Sequence, residues 1–214
     1  MNILKTSDYS KLAYIALHKY GDLEIQQISV GRVELSKFTI GLLNIVSQNE
    51  FNRRLKETNQ DKLFHLFLIL KTSKGDILVE KNDVITITKK RIPPKTDILI
   101  VPNSKGFNLI DMLEKTRALM GSSYFLYSGK DNNCQYFVQS ILKSNGLLNN
   151  DINAYVMQQT RDLFQNKNFR KITNTVTDIA ALKSRYDDLG NPIMGVPIAV
   201  GNHLYQKVFS QYGK

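Results

Sequence analysis

An α+β fold, with helices at both ends of the chain around a small antiparallel sheet, is what three patterns in this 214-residue sequence predict. Segments with apolar residues at helical spacing occur before residue 60 and again after residue 107. Between them, over 62–101, lie short runs rich in Phe, Leu, Ile and Val, broken by Gly, Asp and Pro in the manner of strands and turns. No window approaches the roughly 18 consecutive apolar residues that a membrane span needs.

The first element is a short helix in "DYSKLAYIALHKYG" (8–21), with Leu12, Ala13, Ile15, Ala16 and Leu17 as its apolar residues and Gly21 as its stop. Partial alternation in "DLEIQQISVGRVEL" (22–35) predicts an extended segment. Ser36 is a suitable N-cap for a second helix, "SKFTIGLLNIVSQNEFNRRLKET", which Gly41 weakens. "KLFHLFLILK" is short and continuously apolar, as a buried strand is, and "TSKGD" (72–76) turns the chain. "ILVEKNDVITITKK" supplies one or two further strands. Pro93 and Pro94 then break the chain before "DILIV", so that 62–101 reads as one meander.

Helices return in "NLIDMLEKTRALMG" (108–121), with Leu109, Met112, Leu113 and Met120 near one face, and in "CQYFVQSILKSNG", with Phe137, Val138, Ile141 and Leu142 apolar and Gly146 as the stop. Further helices are expected in "NDINAYVMQQTRDLFQNK" and "TNTVTDIAALKSRYDDLG". The Pro- and Gly-broken tail "NPIMGVPIAVGNHLYQKVF" carries no regular helix before about Asn202. The organisation expected is an N-terminal helical and extended segment (1–60), a core (61–147) and a helical C-terminal extension with its tail (148–214), folded as one unit.

Composition narrows the function classes. A hydrophobic fraction of 42% and a charged fraction of 22% are those of a soluble globular chain. A single cysteine, Cys134, excludes an internal disulfide framework and a multi-cysteine zinc site, and it suits a reducing compartment. The N-terminal "MNILKTSDYSKLAY" lacks an apolar signal core, so a secretory signal is not expected. The net charge of +10 favours anionic partners. Its densest clusters, "TKKR" (88–91) and "NKNFRK" (166–171), are short and read as solvated loops, so nucleic acid is not expected as the main partner. The Lys, Asn and Ile bias is that of an AT-rich genome, viral or microbial, which leaves a virion-associated place open beside the cytoplasm.

Two residues carry the chemistry. Cys134 opens a helix after "GKDNN", where the free N–H groups and the helix dipole stabilise a thiolate. Taken alone, a lone cysteine is more often a small hydrophobe in a core. His65 sits inside the apolar "LFHLFLIL", where an imidazole needs a hydrogen-bond partner. Taken alone, it too reads as a satisfied core residue.

Together they resemble a known arrangement. "HLFLIL" from His65 followed by "NCQYFV" from Asn133 resembles the H-box and NC-box of circularly permuted papain-like thiol enzymes in the wider NlpC-like clan. The similarity is greatest to the lecithin:retinol acyltransferase-like branch, with the permuted isopeptidases a near second. "KTRALMGSSYFLYSGKDNNCQYFVQSILKSNG" is similar to that family's helix ending in Gly, Tyr-containing strand, NC-box and nucleophile helix. The resemblance covers 62–146, and Leu66 departs from it where an aromatic residue is usual.

It implies Cys134 as nucleophile, His65 as its base, and Glu80 at the position of the third polar residue, where the acyltransferases have a second histidine. A strand glutamate is otherwise an ordinary solvent-facing residue. Asn133, in the NC-box, and Tyr124 and Tyr127, on the segment approaching the nucleophile, are candidates near the substrate, although each tyrosine reads more readily as packing; the Cys134 N–H would be an oxyanion donor with an unassigned second donor. The activity implied is that of a cysteine-dependent hydrolase or acyltransferase acting through a thioester, without cofactor or metal, on a lipid ester or a peptide or isopeptide amide. An anionic membrane surface would suit the basic charge and the apolar tail. The alternative is an inactive papain-like domain used as a structural or binding module.

Overall fold

In the computed structural model, strand β1 (Glu24–Glu34) is an interior strand of an antiparallel sheet. The structure describes residues 9–35, 53, 63–82, 84–127 and 132–157. The remaining elements described are α1 (Lys11–Tyr20), β2 (Phe64–Thr72), β3 (Gly75–Lys81), β4 (Ile85–Thr88), β5 (Asp97–Val101), β6 (Phe107–Asn108), α2 (Leu109–Met120), a 3-10 turn (Gly121–Ser123), α3 (Cys134–Ser144) and α4 (Asn150–Val156). The strand order is β4-β3-β2-β1-β5, with β6 also pairing with β1. The helix expected from Ser36, the chain beyond Met157 and the apolar tail lie outside the described residues.

The expected α+β class is present, but the meander is not continuous. β2, β3 and β4 follow one another as antiparallel neighbours, with Thr72 opposite Gly75 across the first turn. β5 leaves that series and pairs with the far side of β1, Ile28 opposite Val101 and Arg32 opposite Asp97. The N-terminal segment thus supplies the strand between β2 and β5, and the first segment and the core share one sheet.

The helices begin where polar caps satisfy their free amides. Ser10 accepts from the Ala13 N–H, Asn108 from Asp111, and Asn149 from Ile152. They pack on one face of the sheet, α1 against β4 and α3 against β2 and β3, with α2 beside α3. Leu66, Leu68, Leu70, Ile77 and Val79 meet Leu113, Phe137, Val138 and Ile141 in this main core.

The opposite face is also covered. Phe67, Ile69 and Leu78 are buried there, with Val33 and Ile92 against them. Burial on both faces explains why "LFHLFLIL" runs apolar without alternation. Gly31 lies opposite Phe67 in the register. A Cβ at Gly31 would stand 2.6 Å from Phe67 Cε2, so the absent side chain makes room for the Phe67 ring.

Candidate active site

Strand alternation places His65, Phe67 and Glu80 on the face away from the helices. Phe67 and Glu80 are the last register partners at that end of the β2–β3 ladder, and His65 lies two residues before Phe67 on the same side. That diagonal spacing lets a long side chain reach across. His65 Nε2 and Glu80 Oε2 are 2.8 Å apart, and the His65 and Phe67 rings stack with centroids 6.2 Å apart. Lys90 Nζ donates to the other carboxylate oxygen, Oε1, at 3.2 Å. Part of the "TKKR" cluster is therefore not a solvated loop but the outer end of an ion-pair chain.

Cys134 reaches His65 from the helical side. It is the first residue of α3, and Asn133 caps that helix by accepting from the Gln135 and Tyr136 N–H groups at 3.0 and 3.1 Å. The sulfur interacts with the His65 ring both through charge and as a hydrogen-bond partner, and the Leu66 and Gln135 amides donate to it. With Nε2 committed to Glu80, Nδ1 is the ring nitrogen available to the sulfur. Lys90, Glu80, His65 and Cys134 thus alternate cation, anion, cation and anion when the thiol proton resides on the ring.

The electrostatics favour that distribution. Burial would push the Cys134 thiol up, but the His65 ring and the two amides outweigh it and hold the thiol below its ordinary range. Burial would likewise strip the proton from His65, yet the Cys134 sulfur and then the Glu80 carboxylate overcome this and raise the ring well above 6.5. Glu80 also resists its burial: His65 and Lys90 bring it from 4.5 down to about 2. Cys134 is 9% exposed and the His65 side chain 18%, so the pair is shielded without being sealed.

The other residues singled out from sequence have different placements. Tyr124 is fully buried in the main core and its hydroxyl lies 2.7 Å from that of Tyr9. The segment around it is a 3-10 turn and loop, not the strand expected from the resemblance. Tyr127 is half-buried in the loop after that turn. Asn133 has its side-chain oxygen committed to the cap, which removes that atom from substrate binding.

Sequence reasoning missed Lys81, Lys90, Asn132 and the amides of Leu66 and Gln135. The one signal for Lys81 was its position directly after Glu80 in a strand buried on both faces, which turns successive residues to opposite sides. Among the described residues no group of three or more His, Cys, Asp or Glu could hold a metal ion, and no helix is long and apolar enough to cross a membrane. No family model, no curated protein and no solved structure matches the chain.

Proposed function

We propose that this chain is a cysteine-dependent hydrolase or acyltransferase with a permuted papain-like core, in which Cys134 is the nucleophile, His65 the acid–base and Glu80 the residue that orients and charges the imidazole. The observation carrying this reading is the shared imidazole: one His65 ring serves both the Cys134 sulfur and the Glu80 carboxylate, at the start of a helix. A buried cysteine kept only for packing has no need of a charged ring and two amide donors.

The reaction follows from that geometry. The Cys134 thiolate attacks the carbonyl carbon of an ester or amide and forms a tetrahedral intermediate. The Cys134 N–H, which has no intrahelical acceptor at the first helical position, supports the developing oxyanion. Collapse breaks the bond to the leaving alcohol or amine, which takes the proton held by His65, and leaves a thioester on Cys134. Neutral His65 then removes a proton from water or an acceptor nucleophile, whose attack releases the acyl group and restores the thiolate. Glu80 stabilises the charged ring throughout without itself changing protonation.

Leu126 is 63% exposed and Tyr136 is 38% exposed; Tyr136 belongs to the first turn of α3, and the Leu126 carbonyl accepts from Asn132, two residues before Cys134. The acyl donor of this reading is a lipid ester or a peptide or isopeptide amide. The basic charge favours an anionic setting for it, such as a membrane surface.

Iodoacetamide labelling at about pH 6, where an ordinary thiol is mostly protonated, tests the reading. Cys134 should react faster than glutathione, and His65→Ala should remove the advantage. Labelling no faster than glutathione, and indifferent to His65→Ala, returns Cys134 to a packing role and leaves an inactive binding module as the better account.

A further inference from the structure

The mechanism above uses one face of β3 and leaves the other unexplained. Lys81 follows Glu80, so its side chain turns to the helical side, where the residue is wholly buried. Its ammonium lies 5.6 Å from the centre of the Phe137 ring of α3. It donates to the Tyr124 carbonyl at 2.8 Å, to the Ser123 carbonyl at 3.3 Å and to Asn132 Oδ1 at 3.3 Å. Three donors therefore meet three oxygens, the full capacity of an ammonium group.

These partners are the turn at Ser123 and Tyr124 and the residue two before the nucleophile, Asn132. Asn132 repeats the tie from its own side, its Nδ2 donating to the Ser123 carbonyl at 2.6 Å and to the Leu126 carbonyl at 2.7 Å. Asn133 follows as the helix cap and Cys134 as the first helical residue. The path from Lys81 to the sulfur is thus one buried side-chain contact and two peptide units.

An ammonium enclosed by neutral carbonyls carries a desolvation cost, and burial lowers its pKa to about 8. A methionine of similar length would fill the space without that desolvation cost, but it would leave the Tyr124 carbonyl and Asn132 Oδ1 without this donor. The geometry offers another reason for the charge: a group with three strong donors joins Ser123, Tyr124 and Asn132 together.

We propose that Lys81 is a positioning residue for the nucleophile: by tying Ser123 and Tyr124 to Asn132 it sets where the start of α3 presents the Cys134 sulfur to His65. Adjacent residues of one strand then arrange the two reacting partners from opposite faces, Glu80 the base and Lys81 the thiol. The proposal rests on the reading of Cys134 as nucleophile.

The experiment is the pH dependence of Cys134 alkylation by iodoacetamide in the full chain, in wild type, Lys81→Met and Asn132→Ala, with thermal unfolding measured alongside. Wild type alone tests the nucleophile reading: a rate no greater than that of glutathione at about pH 6 overturns that reading and this proposal with it. If wild type is reactive, Lys81→Met should stay folded at the assay temperature while unfolding at a lower one than wild type, because the Tyr124 carbonyl and Asn132 Oδ1 lose this donor. Its alkylation midpoint should nevertheless rise by about one pH unit, giving roughly tenfold slower labelling on the acid side. The midpoint is the decisive readout, because a change in the plateau alone would report altered access. A folded Lys81→Met protein with the wild-type midpoint overturns the proposal. Should Lys81→Met fail to fold, Asn132→Ala carries the test, since it keeps the ammonium and both backbone acceptors but removes the side chain that ties Asn132 to them. A raised midpoint in that variant supports the clamp, and an unchanged one overturns it.

Discussion

Glu80→Gln separates the charge of Glu80 from its shape. Glutamine keeps the length of the side chain and an oxygen able to accept from His65 Nε2, which now stands 2.8 Å from Oε2. It removes the negative charge that holds the ring protonated, in a side chain only 11% exposed. A hydrogen bond to a charged group contributes about 1.5–3 kcal/mol, which corresponds to about one to two pH units in the proton affinity of the ring. At a given pH the thiolate–imidazolium pair should therefore be populated about 10- to 100-fold less.

The same substitution has a stability signature of definite sign. The folded Glu80 carboxyl is depressed from 4.5 to about 2, so its contribution is fully present above 4.5 and is lost as pH falls toward 2. That depression corresponds to roughly 3 kcal/mol, most of which glutamine should forfeit at neutral pH while flattening the acid limb. The assay pairs iodoacetamide rate–pH profiles with thermal unfolding at about pH 7, 5 and 3. A Glu80→Gln protein with both the wild-type alkylation midpoint and the wild-type acid limb would refute the coupling of Glu80 to the ring.

Three further outcomes are expected. Gly31→Ala places a methyl group 2.6 Å from the Phe67 ring, which stacks on His65, so unfolding should weaken by about 1–3 kcal/mol and alkylation should slow with it. Wild-type values on both counts would show that the ring yields freely. Tyr9→Phe leaves the Tyr124 hydroxyl buried without its 2.7 Å partner and should cost about 1–3 kcal/mol in denaturant unfolding. It should leave the alkylation midpoint unchanged, and a shifted midpoint would return Tyr124 to the site. His65→Ala should move the alkylation midpoint up toward the ordinary thiol value of about 8.5, measured by the same iodoacetamide profile; an unmoved midpoint would mean that another group holds the thiolate.

Helix ends and strand existence were legible because they depend on nearby residues. Gly21 after α1, Asn133 before α3 and the Gly75 turn are local signals, and each stands at the boundary that it suggests. The position of β5 was not legible. "DILIV" satisfies the pattern of a fourth meander strand as well as that of a partner for β1, and only long-range pairing distinguishes them. Of the site, His65, Glu80 and Cys134 were singled out from sequence, and the fold brings them together.

The burial of Tyr124 was not legible because its hydroxyl partner is Tyr9, 115 positions away in sequence. Lys81 escaped notice for a related reason. Charge on a strand ordinarily marks the solvent face, and this strand has none among Ile77 to Lys81, all of which are buried. Lys90 was hidden in a basic cluster whose members have different surroundings: Lys89 and Arg91 are exposed, whereas Lys90 turns back to Glu80.

The most direct test of acyl transfer through Cys134 is the mass of the intact protein after brief exposure to an activated acyl ester, followed by peptide mapping. One acyl group should appear on Cys134, be released by hydroxylamine as a thioester is, and be absent from Cys134→Ala. Acylation spread over lysines, or equal in Cys134→Ala, would contradict a nucleophilic role for this cysteine.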